Sequence, residues 1–172
     1  LTVGPHTVVI DSVDGSVKRK VDIQDGRTEA LNESIYAGWL HIDVGIDVAV
    51  VDDGKAALLD DSHRVLLKPG THNLRIENRK LAFSVTRQVD VEPGGTTELA
   101  IPVPPSTLSV TGTAGAEVFV DGTRAGTVPV ADYEVTLGSH DIMVVAPGGE
   151  IRGVPIVVGT KPVLLDFSFR NP

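Results

Sequence analysis

Leu67-Lys68-Pro69-Gly70-Thr71-His72-Asn73-Leu74 is the middle one of three related segments in this chain of 172 residues. Each segment reads apolar, any, apolar or Pro, Gly, any, His, polar, apolar. Gly adopts backbone conformations that other residues avoid, so this pattern predicts a tight turn that leads into a β-strand. The other two segments are Leu1-Thr2-Val3-Gly4-Pro5-His6-Thr7-Val8 and Val135-Thr136-Leu137-Gly138-Ser139-His140-Asp141-Ile142.

Features on both sides of these segments recur in the same order. Downstream, each copy has an alternating strand, at Val21-Asp22-Ile23, Val89-Asp90-Val91 and Ile156-Val157-Val158, and then a closing strand around residues 30–31, 99–101 and 164–167. Upstream, only two copies exist: residues 39–42 match 107–110, and 48–54 match 116–122. We therefore expect repeats of roughly 68 residues.

The repeats predict three regions: 1–36 as the back half of a truncated repeat, and 37–104 and 105–172 as complete ones. Pro102, Pro104 and Pro105 stop a sheet ladder at the second junction because proline lacks an N–H group. Each complete repeat contains about seven short segments rich in Val, Ile, Leu and Thr, separated by turn signals. The prediction is an all-β fold of tandem small antiparallel β-sandwiches, with almost no helix.

Two Asp-Gly dipeptides predict hairpin turns within the complete repeats. Gly54 and Gly122 would take the positive φ that such turns require. Before the second dipeptide, residues 117–121 alternate, which places Val118 and Val120 on one face of a strand.

Four short motifs follow one another in the third copy. They are Thr113-Ala114-Gly115-Ala116, then Val120-Asp121-Gly122, Gly126-Thr127-Val128-Pro129 and Leu137-Gly138-Ser139-His140. The second copy keeps Asp53-Gly54 and the Pro-Gly-x-His start, but it departs at Ile46-Asp47-Val48 and at Leu58-Leu59-Asp60-Asp61. With these motifs the chain resembles the PEGA domain family, a group of short Ig-like β-repeats. The resemblance implies an exported bacterial setting, at the cell surface, in the periplasm or extracellular, and a module without catalytic residues.

Residues 1–36 offer fewer strands than a complete repeat, near 6–13, 16–24 and 28–35. Chains shorter than ~40 residues seldom bury enough apolar surface to fold alone. We therefore expect their apolar face to be covered by an upstream part of the same polypeptide, by a neighbouring chain in a homopolymer, or by the 37–104 repeat. That face consists of Val8, Ile10, Val21, Ile23 and Leu31.

Composition excludes several classes of function. The net charge of −8 argues against a nucleic-acid backbone or an anionic membrane as partner. The absence of cysteine rules out disulfides and thiolate sites. No apolar run reaches the ~18 residues of a membrane span. We expect no cofactor.

The recurrent histidines His6, His72 and His140 favour a structural role over catalysis. A catalytic site needs different residue types at one point, whereas these occupy the same place in successive repeats. We expect each histidine, with its glycine at 4, 70 or 138, to tie its turn to the backbone. Metal binding or catalysis is the alternative, and His41 and His63 carry weaker signals.

A second candidate site is acidic. Asp52, Asp53, Asp60 and Asp61 are weak calcium candidates, since calcium takes oxygen ligands from loops. Solvated turns are the competing interpretation, because Asp bonds locally to turn backbone.

The leading prediction is a non-enzymatic spacer or assembly segment of a bacterial envelope protein. The alternative is a ligand-binding module for cell-wall glycan or a protein partner. Seven aromatic residues are few for a sugar platform. Two of them, Tyr36 and Trp39, lie at the first junction and are predicted to pack between modules.

Overall fold

The computed structural model describes residues 1–169, and these residues form β-strands and loops without a helix. An amino-terminal hairpin contains β1 (Gly4–Ser12) and β2 (Gly15–Ile23). A first sandwich follows, with β3 (Gly38–Val44), β4 (Ala49–Asp52), β5 (Lys55–Ala57), β6 (Arg64–Leu67), β7 (Gly70–Asn78), β8 (Phe83–Val91) and β9 (Thr96–Ile101). The second sandwich has β10 (Ser106–Gly112), β11 (Glu117–Val120), β12 (Thr123–Thr127), β13 (Val130–Val135), β14 (Gly138–Val145), β15 (Ile151–Val158) and β16 (Val163–Phe167).

The two sandwiches have the same strand order. The first has a three-stranded sheet, β6-β3-β9, and a four-stranded sheet, β5-β4-β7-β8. The second has β13-β10-β16 and β12-β11-β14-β15. Each strand of one sandwich thus has a counterpart seven strands along the chain. The all-β sandwich fold predicted from the turn and strand pattern is confirmed.

One pairing in each sandwich was not predicted. The first and last strands, β3 with β9 and β10 with β16, run parallel, so the sheets are mixed rather than wholly antiparallel. Parallel neighbours need a long crossover connection, and here the other five strands of the sandwich supply it. Sequence alternation does not distinguish the two directions, which is why the prediction of antiparallel sheets was wrong for this pair.

The core lies between the two sheets of each sandwich. In the second, Leu108 and Val110 of the three-stranded sheet join Val118, Ile142 and Val144 of the four-stranded sheet in one buried cluster. Alternate residues point inward because successive side chains of a strand lie on opposite faces. The alternation predicted for residues 117–121 is confirmed, since Val118 and Val120 are buried.

Both Asp-Gly dipeptides form the predicted turns. Asp53 and Gly54 have φ values of 43° and 84°, and Asp121 and Gly122 have 50° and 77°. Two successive positive φ angles match the twist of paired strands. These turns place the carboxylates at the ends of β4 and β11.

The hairpin at residues 4–23 is a regular antiparallel ladder, with Gly4 opposite Ile23 and Ser12 opposite Gly15. Its turn lies against the first sandwich: the N–H group of Ser16 donates to the carbonyl of Pro69 at 2.8 Å, and Val17 is buried. The third strand predicted near 28–35 is absent, because that segment has no ladder partner in the part of the chain described here. Glu33 instead forms an ion pair with Arg19.

The chain divides into two compact units that do not follow the predicted repeat boundaries strictly. One contains Leu1–Val44, Val48–Ile76 and Val85–Ile101. The other contains Gly45–Asp47, Glu77–Ser84 and the residues from Pro102 onward. The hairpin therefore belongs with the first sandwich, while two of that sandwich's connections belong to the second unit. The boundaries at 36/37 and 104/105 stay predictions. Among residues 1–169 there is no helix of the length and apolarity needed to cross a membrane.

Candidate functional site

In the second sandwich, His140 lies in β14 next to the turn that follows β11, and its side chain is mostly buried. Nε2 is 2.9 Å from the carbonyl oxygen of Thr136, and Nδ1 is 2.7 Å from a carboxylate oxygen of Asp121. The N–H group of Asp141 donates to the other carboxylate oxygen at 2.8 Å. We call this set of a histidine, a carbonyl four residues earlier and a neighbouring carboxylate the histidine clasp.

The first sandwich contains the same clasp with a shifted acid. Nε2 of His72 is 2.7 Å from the carbonyl oxygen of Lys68, and Nδ1 is 2.9 Å from both carboxylate oxygens of Asp52. Asp52 comes one residue before the counterpart of Asp121, at the position that buried Val120 occupies in the second sandwich. The clasp is thus formed twice, from acids at two successive positions.

Both ring nitrogens in a clasp face oxygen atoms. A doubly protonated ring donates to both, whereas either neutral form would leave one nitrogen lone pair facing an oxygen. On the acid side, the hydrogen bond from His140 holds the pKa of Asp121 below its usual range, and the bond from the Asp141 N–H group lowers it further. The clasp therefore connects the end of one strand to the start of its neighbour.

His6 has half of a clasp. Its Nε2 lies 2.7 Å from the carbonyl oxygen of Thr2, as in the two sandwiches. Within residues 1–169, no carboxylate contacts its Nδ1. The sequence pattern did not predict that Asp52 and Asp121 are partners of histidine. The recurrence of Asp-Gly and of Gly-x-His at one spacing was the available signal.

The four calcium candidates do not converge on one point. Asp52 and Asp53 lie with His72 in a group whose ligand atoms are within 4.8 Å of one another, and Asp60 and Asp61 are not part of it. Asp60 accepts the N–H groups of Ser62 and Arg64, and the Arg64 N–H group in particular lowers its pKa. Two carboxylates and an imidazole fall well short of the six to eight oxygens that calcium takes.

The junction aromatics are exposed rather than packed. Tyr36 is 65% exposed, and Trp39 is 37% exposed on the outer face of the first sandwich. The guanidinium of Arg64 lies 5.0 Å above the Trp39 ring, and Leu66 is the cross-strand neighbour of Trp39. The exposure of both side chains does not support the prediction that they pack between modules. Strand alternation places Trp39 outward because the core side chains of β3, Leu40 and Ile42, lie on the opposite face of the strand.

Another pair lies beside this aromatic on the same face of the sheet. His41 is opposite Glu98 in the parallel ladder between β3 and β9, and its Nδ1 contacts that carboxylate. His63, in contrast, lies in the turn before β6 with a φ of 55°, and its N–H group donates to the carbonyl of Asp60. Neither histidine has a counterpart in the second sandwich.

Comparison with known proteins gives no family. No family model matches the chain, and no curated protein matches it. Among solved structures, the Bacillus anthracis TIE protein matches 88% of this chain at 14% identity, with a TM-score of 0.42. Bacteroides ovatus SGBP-B, from a mixed-linkage glucan utilization locus and in complex with a mixed-linkage heptasaccharide, matches 91% at 15% identity, with a TM-score of 0.19. The chain spans 38% and 48% of the lengths of these two proteins.

Proposed function

We propose that this chain is a non-enzymatic spacer or assembly segment of an exported bacterial envelope protein, built of tandem PEGA-like modules. The observation that carries the proposal is the repetition of one strand order together with one histidine clasp in the two sandwiches. A repeated module with a repeated internal connection has the properties of a scaffold, in which function lies in geometry and interfaces.

The chemistry of the clasp supports a structural role. Both nitrogens of His72 and of His140 already face oxygen atoms of their own sandwich. A general base or a metal ligand needs a lone pair directed at substrate or metal. These two histidines are therefore better suited to hold neighbouring strands together than to transfer protons.

The unfinished hairpin supports the assembly part of the proposal. A lone two-stranded hairpin is marginally stable in water, and in this one Val9 is exposed while Val8 and Ile10 are only half-buried. An upstream part of the same polypeptide or a neighbouring chain would complete it. The PEGA resemblance supplies the exported setting.

The spacer role is tested by measuring how widely the distance between two spin labels, one in each sandwich, is distributed. The chain has no cysteine, so spin labels can be placed by the substitutions Thr86→Cys and Leu164→Cys, at exposed positions of β8 and β16. A spacer is expected to give one narrow peak in pulsed electron paramagnetic resonance. The control pair, Ile151→Cys with Leu164→Cys, lies within one sandwich and gives the width due to the labels themselves. A distribution as broad as that of a flexible linker would refute the spacer role.

Ligand binding is the second candidate, and the exposed Trp39 favours it. A planar ring with an apolar neighbour and a guanidinium above it can stack on a sugar or hold a partner's side chain. Trp39 is the only tryptophan, so its fluorescence reports on this face alone. Titration with soluble cell-wall glycan fragments should shift the emission, and Arg64→Ala should weaken the shift. An emission spectrum that stays constant up to millimolar glycan would exclude this face as a glycan site.

A further inference from the structure

The amino-terminal hairpin is built like the hairpin β7–β8 of the first sandwich and β14–β15 of the second. All three begin with a glycine at positive φ, namely Gly4 at 125°, Gly70 at 129° and Gly138 at 138°, and each has a histidine two residues later. The ladders have the same sense, with β1 antiparallel to β2 and β14 antiparallel to β15. The three hairpins are therefore equivalent elements.

What surrounds the first strand of each hairpin differs. β7 is flanked by β4 and β8, and β14 by β11 and β15. In the described part of the chain, β1 is paired with β2 alone. Its other edge presents backbone N–H and C=O groups without a strand beside them, and such an edge is a template for a further strand.

The side chains of β1 indicate which strand belongs there. His6 makes the carbonyl contact of a clasp but has no acid at Nδ1 among residues 1–169. In both sandwiches that acid stands at the end of the strand beside the histidine strand, at the Asp-Gly turn. Ile10 is half-buried, whereas its counterpart Ile76 is 0% exposed.

Among residues 1–169, no strand is free to fill the place. β4 and β11 are the strands of the required type, and each already lies between two neighbours. The connections ahead of β7 and β14 contain two residues, Lys68-Pro69 and Thr136-Leu137, and Thr2-Val3 is their counterpart. A preceding set of strands joined directly to Leu1 would thus need no additional linker.

We propose that the free edge of β1 receives a front half-module, meaning four strands of the β10–β13 type, joined to the amino end of Leu1. Its second strand would pair antiparallel with β1 and end in an acid whose carboxylate contacts Nδ1 of His6. Its first strand would pair in parallel with residues 28–35, as β3 does with β9. This inference rests on the proposed function as tandem modules, and it specifies the partner of residues 1–36.

The test adds a front half-module that the chain itself provides. Residues 104–134 are fused ahead of Leu1, which then takes the place of Val135. A second fusion uses residues 36–66, so that Leu1 takes the place of Leu67. Hydrogen exchange is measured residue by residue. In β1 and in residues 28–35, we expect exchange to slow by on the order of 100-fold relative to the unextended chain.

The proposed contact between His6 and the added carboxylate is measured separately, by nuclear magnetic resonance. In the 104–134 fusion, the nitrogen chemical shift of His6 Nδ1 should change, and Asp121→Asn in the added copy alone should reverse that change. If neither fusion protects β1 while both original sandwiches stay protected, the inference is overturned. If β1 is protected but the added Asp→Asn change leaves His6 unaffected, the proposed carboxylate contact is overturned. Neither result alters the label distances that test the spacer role, so the two proposals fail independently.

Discussion

The hairpin β1–β2 and the hairpin β7–β8 start from the same sequence pattern and reach different degrees of burial. All four strands have nine residues, and the first strand of each hairpin begins with glycine and carries histidine at its third position. Leu74 and Ile76 of β7 are completely buried, whereas Val8 and Ile10 of β1 are half-buried. The difference lies in the neighbours, since β7 has β4 at its second edge and a facing three-stranded sheet.

The local sequence pattern is therefore sufficient for a hairpin but not for a core. Alternation and turn glycines specify which side chains share a face. Whether that face becomes buried depends on strands that are distant in sequence. The closing segment 28–35 shows the same dependence, because its counterparts β9 and β16 have β3 and β10 as their only ladder partners in the described chain.

The largest expected effect on stability comes from shortening the isoleucine at equivalent positions of the two hairpins. Ile76→Ala should lower the free energy of unfolding of the first sandwich by about 2–5 kcal/mol, because it leaves a cavity in a closed core. Ile10→Ala, at the equivalent position of β1, should cost well under half as much, since its site is already partly hydrated. Denaturant unfolding monitored by circular dichroism measures both. Equal losses would mean that β1 is as well covered as β7.

Gly15→Ala should detach the hairpin from the first sandwich. Gly15 has a φ of 136°, and an added Cβ atom would lie 2.5 Å from the carbonyl oxygen of Pro69. We expect faster hydrogen exchange in β1 and β2, at a cost of at least about 1 kcal/mol relative to the control. The control is Gly4→Ala, with a φ of 125° and no atom within 4 Å of the added Cβ. Similar exchange in both variants would show that the contact with Pro69 does not hold the hairpin.

Removing the histidine should matter more where the clasp is complete. His140→Ala deletes contacts with Thr136 and Asp121 and should cost the second sandwich about 1–3 kcal/mol. His6→Ala deletes the exposed contact with Thr2 and should cost less than about 1 kcal/mol. Exchange rates of β14 and β1 give the two values. A cost for His6→Ala that matches that of His140→Ala would indicate that His6 has an acidic partner after all.

The smallest expected effect is a change in melting temperature that depends on pH. Because Asp121 has a folded-state pKa below its ordinary value of ~4, its ionised form stabilises the second sandwich above that pH. Asp121→Asn should therefore lower the melting temperature at pH 7. The difference in melting temperature between this variant and the unmodified protein should shrink as the pH falls through ~4. It should vanish below the folded-state pKa of Asp121.

The exposed carboxylate of Glu134 provides the control for that titration. Glu134→Gln should leave the melting temperature nearly unchanged across the same pH range. A gap between the Asp121→Asn variant and the unmodified protein that persists at pH 2 would show that the carboxylate charge does not stabilise the clasp.

Local sequence patterns specify the strands and their inward faces. Recurrent Gly-x-His starts, Asp-Gly turns and β-branched alternation predicted the seven strands of each sandwich and the burial of Val118 and Val120, because these features depend on backbone preferences of a few adjacent residues. The sequence also places Asp60 in an acidic turn. It does not show that the Asp60 carboxylate accepts hydrogen bonds from the turn backbone and from the Arg64 side chain.

The features that join distant segments depend on tertiary contacts. The parallel pairing of β3 with β9, the choice of Asp52 over Asp53 as the partner of His72, and the position of Arg64 above Trp39 each connect residues at least 20 positions apart. Alternation does not encode strand direction or register between such segments. The loss of the strand near 28–35 has the same cause: a strand is a pairing between two segments, and β-propensity describes one segment at a time.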